Sequence, residues 1–203
     1  MNNDYEFISS ILSSTAFESA ESCHRKPASV AMILQKSETG LELFFIERAS
    51  HPDDPWSGNI GFPGGRMESY DRSLRHAAER ETMEEVGIDL SSASYLGRLS
   101  DIVGHNLPVR VSCFVYGLVV PANLLFSDEV QDAFWIRLDY LLRPEQQLSA
   151  SVAFDGRSFE VPAIDLGLPG KPVLWGITYR LVTQLKKVLE SDGKLPLPYE
   201  LSL

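Results

Sequence analysis

Apolar positions recur with two different periods along this chain. Tyr5, Ile8, Ile11 and Leu12 are spaced as on one face of a helix, which predicts a short amphipathic helix over residues 4–14. "ASVAMILQK" and "LELFFIERA" are β-prone apolar runs joined by "SETG", the pattern of a hairpin. A Pro-, Asp- and Gly-rich loop, "SHPDDPWSGN", leads into "IGFPGG". Helical spacing returns over "DRSLRHAAERETMEEVG", with Asp71 as the expected N-cap and Gly87 as the C-terminal stop. "YLGRLSDIV", "VRVSCFVYGLVV" and "DAFWIRL" read as strands, the last followed by a helical turn at "DYLL". "SVAFDGRSFEVPA" places Asp155-Gly156 between two β-prone runs, a two-residue hairpin turn. "VLWGITYRLVTQLKKVLE" reads as a closing helix with Leu174, Ile177, Leu181, Leu185 and Val188 on one face, and the tail "SDGKLPLPYELSL" as irregular. Strands and helices mix without strict alternation, so the expected class is α+β, with helices packed on both faces of a mixed sheet.

Composition narrows the function. A chain of 203 residues suits one domain with a substantial core, and 44% hydrophobic against 23% charged residues is globular rather than disordered. The formal net charge of −10, with no basic stripe, argues against binding long nucleic acid or an anionic membrane. An anionic substrate then needs local basic groups or metal ions to reverse the field at its site. Cys23 and Cys113 have neither metal-ligand spacing nor the number for a disulfide framework, and read as reduced thiols. The N-terminus, "MNNDYEFISSILSSTAFESAES", lacks the basic start and apolar run of a signal peptide, and no window offers the ~18 apolar residues of a membrane span. The expectation is a cytoplasmic protein. The apolar C-terminal helix suits either the domain's own core or a second subunit, and a homodimer is the expected assembly.

The chemistry concentrates in "RETMEEVG", Arg80 to Gly87. At about 100° per residue, Glu81, Glu84 and Glu85 share one arc of roughly 100°. Like charges so placed repel, so either water screens them or a cation sits among them. The same arc runs back through Ala78, Ala77 and Leu74, which look close-packed, so the carboxylates extend a partly buried face that needs compensation. Arg80 is four residues from Glu84 and can hold that carboxylate in place. The glycines of "FPGG" allow close backbone approach beside the cluster. Oxygen-only ligands on a rigid helix suit Mg²⁺ or Mn²⁺.

"GGRMESYDRSLRHAAERETMEEVGI", Gly64 to Ile88, resembles the signature of the Nudix hydrolases: a glycine, a first acidic residue, then Arg-Glu-x-x-Glu-Glu-x-Gly and an aliphatic residue. Here these are Gly65, Asp71, Arg80, Glu81, Glu84, Glu85, Gly87 and Ile88. Asp71 stands where Glu is commoner, and its step to Arg80 is one residue longer than the usual version. The coenzyme A pyrophosphatase branch is similar in both respects and in "Gly-x-x-x-Phe-Pro-Gly-Gly", Gly58 to Gly65 here, although Asp53 and Asp54 stand where that branch usually has a basic residue. The resemblance covers roughly residues 28–190, dividing the chain into an N-terminal helix and connection over 1–27, a Nudix domain over 28–190 and a tail over 191–203.

The resemblance implies a Nudix-type α/β/α sandwich, a mixed β-sheet between helices, and metal-dependent hydrolysis of a diphosphate linkage. It makes Glu81, Glu84 and Glu85 ligands of Mg²⁺ or Mn²⁺, with the carbonyl of Gly64 or Gly65 as a further ligand. Arg80 orients the cluster, and Asp71 supports it as a cap or behind the ligands. Glu129 in "FSDEVQDAFWIRL" is the candidate general base, against the plain reading of an exposed acidic loop. Arg48 and Arg66 flank the glycine loop and are candidate phosphate contacts; Arg110 either holds a phosphate or marks a strand edge. Trp56 either stacks on a base or anchors its loop, and His105 reads as surface before phosphate contact. The substrate is a small nucleotide, with coenzyme A or its thioesters first, and ADP-ribose, a nucleotide sugar or a dinucleotide second. A non-catalytic nucleotide-sensing module is the reading of another class, set against the presence of all three glutamates.

Overall fold

Two long apolar runs set the frame, because strands that are hydrophobic on both faces must be covered on both. The computed structural model describes residues 3–20, 25–51, 56–104, 108–120, 123–154 and 156–191. The elements are α1 (Asn3–Ser14), β1 (Lys26–Ser37), β2 (Gly40–Arg48), β3 (Ile60–Gly61), β4 (Gly64–Arg66), α2 (Leu74–Val86), β5 (Ser94–Arg98), β6 (Ile102–Val103), β7 (Val109–Gly117), β8 (Val130–Arg137), α3 (Leu138–Leu142), β9 (Gln147–Phe154), β10 (Arg157–Ile164), β11 (Leu174–Trp175) and α4 (Gly176–Ser191).

β1 is the centre of a mixed eight-stranded sheet. It runs parallel to β7 over residues 26–34 and antiparallel to β2 and β4 on its other side, and β8 pairs antiparallel with β2. β9, β10 and β11 form a smaller antiparallel sheet. On one face of the large sheet, Ala31, Ile33, Phe44, Ile46, Phe114 and Tyr116 pack with Ala78 and Val86 of α2. On the other, Met32, Leu34, Leu43, Phe45, Cys113 and Val115 pack with α1 and α4. This period-two division makes an α/β/α sandwich, the expected fold.

Three elements depart from the sequence reading. "YLGRLSDIV" is two strands, β5 and β6, both antiparallel to β7 and interrupted over residues 99–101; β5 itself bulges between Tyr95 and Gly97, and the side chain of Leu12 lies 2.8 Å from where a Cβ on Gly97 would stand. Leu174 and Trp175 leave the closing helix and pair with Ile164 and Ala163, and Gly176 takes φ +66 at the change of direction. The short strands β3 and β4 arise inside "IGFPGGR". The hairpin between β9 and β10 pairs Phe154 with Arg157, while Asp155 itself lies outside the described residues, as do Cys23 and the tail from 192. The apolar face of α4, with Leu181, Leu185 and Val188, is covered by the chain's own core.

The helix expected over residues 4–14 docks against β5 and β7. Its four predicted apolar residues are all buried. The ring of Tyr5 fills the space left by Gly117, and its hydroxyl donates to the carbonyls of Leu118 (2.9 Å) and Leu34 (3.3 Å). Tyr5→Phe removes both bonds in a buried setting. It should lower the unfolding free energy by about 1–2 kcal/mol with the urea m-value unchanged. An unshifted urea midpoint would show that these bonds add nothing to stability.

Candidate active site

The acidic turn lies on α2, and the ends of that helix are fixed first. The N-cap is Ser73, whose Oγ accepts the His76 amide at 3.1 Å. Asp71 is therefore not the cap expected from sequence. It is buried and bound to Arg80 instead, Oδ1 accepting from Nε at 3.0 Å and Oδ2 from Nη2 at 2.9 Å. A bidentate guanidinium is a stronger partner than an amide, which is why Asp71 turns inward and leaves the cap to Ser73. Gly87 ends the helix as expected, at φ 73, its amide bonded to Met83.

The buried stripe of α2 holds Ala78, Thr82, Glu85 and Val86, so one carboxylate shares a face with apolar residues. Exposure across the triplet is steeply graded: the side chain is 4% exposed at Glu85, 19% at Glu81 and 58% at Glu84. Each is held differently. Glu85 accepts the Gly64 amide at 2.8 Å, with Arg48 Nη1 at 3.6 Å from its other oxygen. Arg80 Nη1 lies 2.9 Å from Glu81 and 2.8 Å from Glu84. Arg80 is the positive charge among the glutamates, and Asp71 fixes it from behind.

The glycine loop permits this approach. Gly64 has φ +149, and a Cβ there would stand 2.2 Å from the Ser29 carbonyl oxygen on β1. A Cβ on Gly65 would stand 2.5 Å from the Glu81 carboxyl group. Gly64 thus allows β4 to lie on β1, and Gly65 leaves room for Glu81.

Electrostatics follow the burial. Burial pushes Glu85 up to about 8 against the pull of the Gly64 amide and Arg48, with Glu81 and Glu129 adding to the rise. Burial also raises Glu81, with Arg80 opposing and Glu84 and Glu129 adding. Hydrogen bonds from Arg80 hold Asp71 down to about 2. Glu129 is exposed, yet its charge reaches both Glu81 and Glu85, so the loop expected to carry a base does arrive at the cluster. That loop is strapped to the end of α2: the Ser127 amide donates to the Glu85 carbonyl and Leu125 to Val86, both at 3.0 Å.

The three predicted phosphate contacts part company. Arg48 lies at a register shift between β2 and β8 and reaches Glu85. Arg66 is exposed at the rim, its carbonyl accepting from Arg80 at 3.3 Å. Arg110 is buried on β7, across the sheet from the glutamates, 3.6 Å from Asp101. Trp56 packs on Phe154 and Trp175, as an anchor does, and Trp175 donates to Asn59 at 2.9 Å. His105, Asp53 and Asp54 lie outside the described residues.

Sequence reading missed the Gly64–Glu85 bond, for which the paired glycines were the available signal. It also missed the clamp that seats α2, in which Tyr116 donates to Glu79 at 2.9 Å and Arg75 lies 4.0 Å over the ring of Tyr95. Among the described residues no three acidic, His or Cys side chains converge as a ready-made metal cage. The donor set nonetheless fits a hard divalent ion: its ligands are oxygens, and Glu81 and Glu85 are driven toward the neutral form by burial, which a cation reverses.

Asp71 is held near 2 in the fold against 3.8 ordinarily. Its contribution to stability is complete above about pH 4 and is lost as pH falls from there toward 2, where the unfolded chain takes up the proton first. Asp71→Asn should lower stability at pH 7 by on the order of 1–2 kcal/mol and flatten that acid limb. Chemical denaturation across pH 2–7 checks both effects, and an unchanged acid limb contradicts the Asp71–Arg80 assignment.

Residues 25–154 match the family model of the NUDIX domain. Over 84% of its length the chain is 26% identical to a probable nudix hydrolase of Schizosaccharomyces pombe, and it spans 59% of that protein. It spans 34% of a second, uncharacterized protein of the same yeast, at 38% identity over 52% of this chain. It is 28% identical to the mitochondrial coenzyme A diphosphatase NUDT8 of Homo sapiens, over 83% of this chain and 72% of that one. The NUDIX domain of Shewanella oneidensis NrtR, solved with ADP ribose, shares the fold, with a TM-score of 0.54 at 16% identity, covering 93% of this chain and 99% of that one. Among the described residues no helix is long and apolar enough to cross a membrane. The matched stretch includes β1, the glycine loop and the whole of α2, and on it the chain belongs to the Nudix hydrolase family.

Proposed function

We propose that this protein is a metal-dependent diphosphatase that hydrolyses a diphosphate linkage in a nucleoside diphosphate derivative, with coenzyme A or its thioesters as substrate. The observation that carries the reaction class is the nearly dry Glu85, enclosed by Gly64 and flanked by Glu81 on a rigid helix. Such a carboxylate is costly to ionise without a cation. The likeness to the coenzyme A diphosphatase NUDT8 supports the substrate, as does the glycine loop that Gly58 to Gly65 shares with the coenzyme A branch. A sensing module without catalysis has no such use for three intact glutamates.

Glu81, Glu84 and Glu85, with the Gly65 carbonyl, would hold Mg²⁺ or Mn²⁺. When bound, the ion supplies positive charge against the diphosphate and makes a coordinated water more acidic. Arg80 positions Glu81 and Glu84, and Asp71 positions Arg80. Arg48, already beside Glu85, is placed to take a phosphate oxygen, and Arg66 meets the substrate at the rim. Glu129 accepts the proton of the water that attacks phosphorus. The bond from that phosphorus to the bridging oxygen breaks, and the bridging oxygen leaves with the second phosphate. The products are a nucleotide and a second phosphorylated half. Composition and symmetry alone suggest a cytoplasmic homodimer.

Purified protein with Mg²⁺ or Mn²⁺ should release phosphopantetheine from coenzyme A, faster than it cleaves ADP-ribose or a dinucleotide. Cleavage of the others alone would remove coenzyme A and keep the reaction class; no cleavage of any would remove both. Glu84→Gln alters an exposed side chain, so the melting temperature should hold while turnover falls about 100-fold or more. Gly65→Ala should fold, because the atoms it meets are the movable end of Glu81, but should displace that carboxylate and lower kcat by up to about 100-fold. Wild-type turnover by either variant contradicts the metal assignment.

A further inference from the structure

The loop that joins β4 to α2 is closed on itself. The Asp71 amide donates to the Glu68 carbonyl at 3.1 Å, and the Glu68 amide donates to Asp71 Oδ2 at 2.9 Å. Asp71 is in turn gripped by Arg80, so the turn over residues 68–71 is fixed to the helix. Tyr70 stands on this turn and is 66% exposed, the most exposed aromatic residue of those described.

A lone apolar residue at a surface needs no explanation. Tyr70 is not alone: the Arg80 guanidinium lies over its ring, 5.4 Å from the centroid. Its hydroxyl has no hydrogen-bond partner among the described residues, so the turn and the guanidinium orient the ring. Arg80 is also the group that holds the acidic cluster. Its Nη1 lies 2.9 Å from Glu81 and 2.8 Å from Glu84, and its Nη2 donates to the Arg66 carbonyl at 3.3 Å. One guanidinium thus separates the ring of Tyr70 from two of the carboxylates. Arg80 lies on one side of the ring, and the rest of it faces solvent at the rim of the site. A tyrosine ring has few rotatable bonds, and on a closed turn it has little entropy left to lose when a flat partner joins it.

We propose that Tyr70 is the platform on which the base of the nucleotide substrate stacks. This deepens the diphosphatase reading above and rests on it. In a nucleoside diphosphate derivative a ribose separates the base from the diphosphate. With the diphosphate at Glu81 and Glu84, the base lies one ribose away from these carboxylates, and Tyr70 lies one guanidinium away from them. Every base has a π-face, so stacking favours nucleotides over other phosphorylated compounds without reading the edges of the base. Tyr70 would therefore set the preference for a nucleoside, while the glutamates act on the linkage.

Calorimetry on the whole protein in Mg²⁺, with adenosine 5′-monophosphate and with ribose 5-phosphate, tests this without turnover. The two ligands share sugar and phosphate and differ by the base. Wild type should bind the nucleotide about tenfold or more tightly than the sugar phosphate. In Tyr70→Ala that ratio should fall toward one, and Tyr70→Phe, which keeps the ring, should retain it. Tyr70 is exposed, so both variants should fold. No tighter binding of the nucleotide in wild type, an undiminished ratio in Tyr70→Ala, or a loss in Tyr70→Phe equal to that in Tyr70→Ala overturns the platform. A ring that only props Arg80 would lower kcat on coenzyme A in Tyr70→Ala and leave the ratio intact, which also overturns it. The ratio is read whether or not any diphosphate is cleaved, so failure of the diphosphatase reading shows separately, as absent turnover.

Discussion

The site is organised around one carboxylate kept out of water. Glu85 stands on the apolar stripe of α2, and its ionised form is tolerated only through the groups fitted round it. One is the amide of Gly64, which points at it because Gly64 adopts a left-handed backbone with no side chain to strike β1. Another is Arg48, delivered at a shift in strand pairing. The backbone carbonyl of Glu85 meanwhile accepts the amide of Ser127, which draws the loop bearing Glu129 to the same place. A single residue, through its side chain and its backbone carbonyl, therefore ties together β4, the end of β2, the helix and the loop before β8.

Much of this was legible in the chain because it is local. Spacing within one turn puts three glutamates on one arc, and the unbroken apolar runs of β1 and β2 announce a sheet covered on both faces. What was not legible depends on partners far along the chain. Asp71 is the expected cap by residue type; its bidentate bond to Arg80, nine residues on, draws it inward and leaves the cap to Ser73. Leu174 has helical spacing with Leu181, but pairing with Ile164 makes it a strand. Ser29 and Ser112 read as ordinary polar positions in apolar strands until the register sets them side by side.

Scaffold and selectivity also separate in the structure. The elements that hold the glutamates lie within residues 25–154, the part shared with the family model. Trp175, just beyond it, packs with Trp56 and Phe154 and bonds to Asn59. The small sheet thereby steadies the loop that feeds the glycine turn, and changes there can reshape the approach to the site while leaving the acidic helix alone.

The seating of α1 has a consequence for how the chain reaches this state. Tyr5 finds its acceptor at Leu118, 113 residues later, and Leu12 fits the bulge at Gly97. During synthesis α1 precedes β5 and β7, and it has no place to dock until they have followed it. Until then its apolar stripe is exposed, and a short isolated helix is only marginally stable in water. An element made before its docking partners is thus secured after them, and it closes one face of the sandwich over strands already assembled.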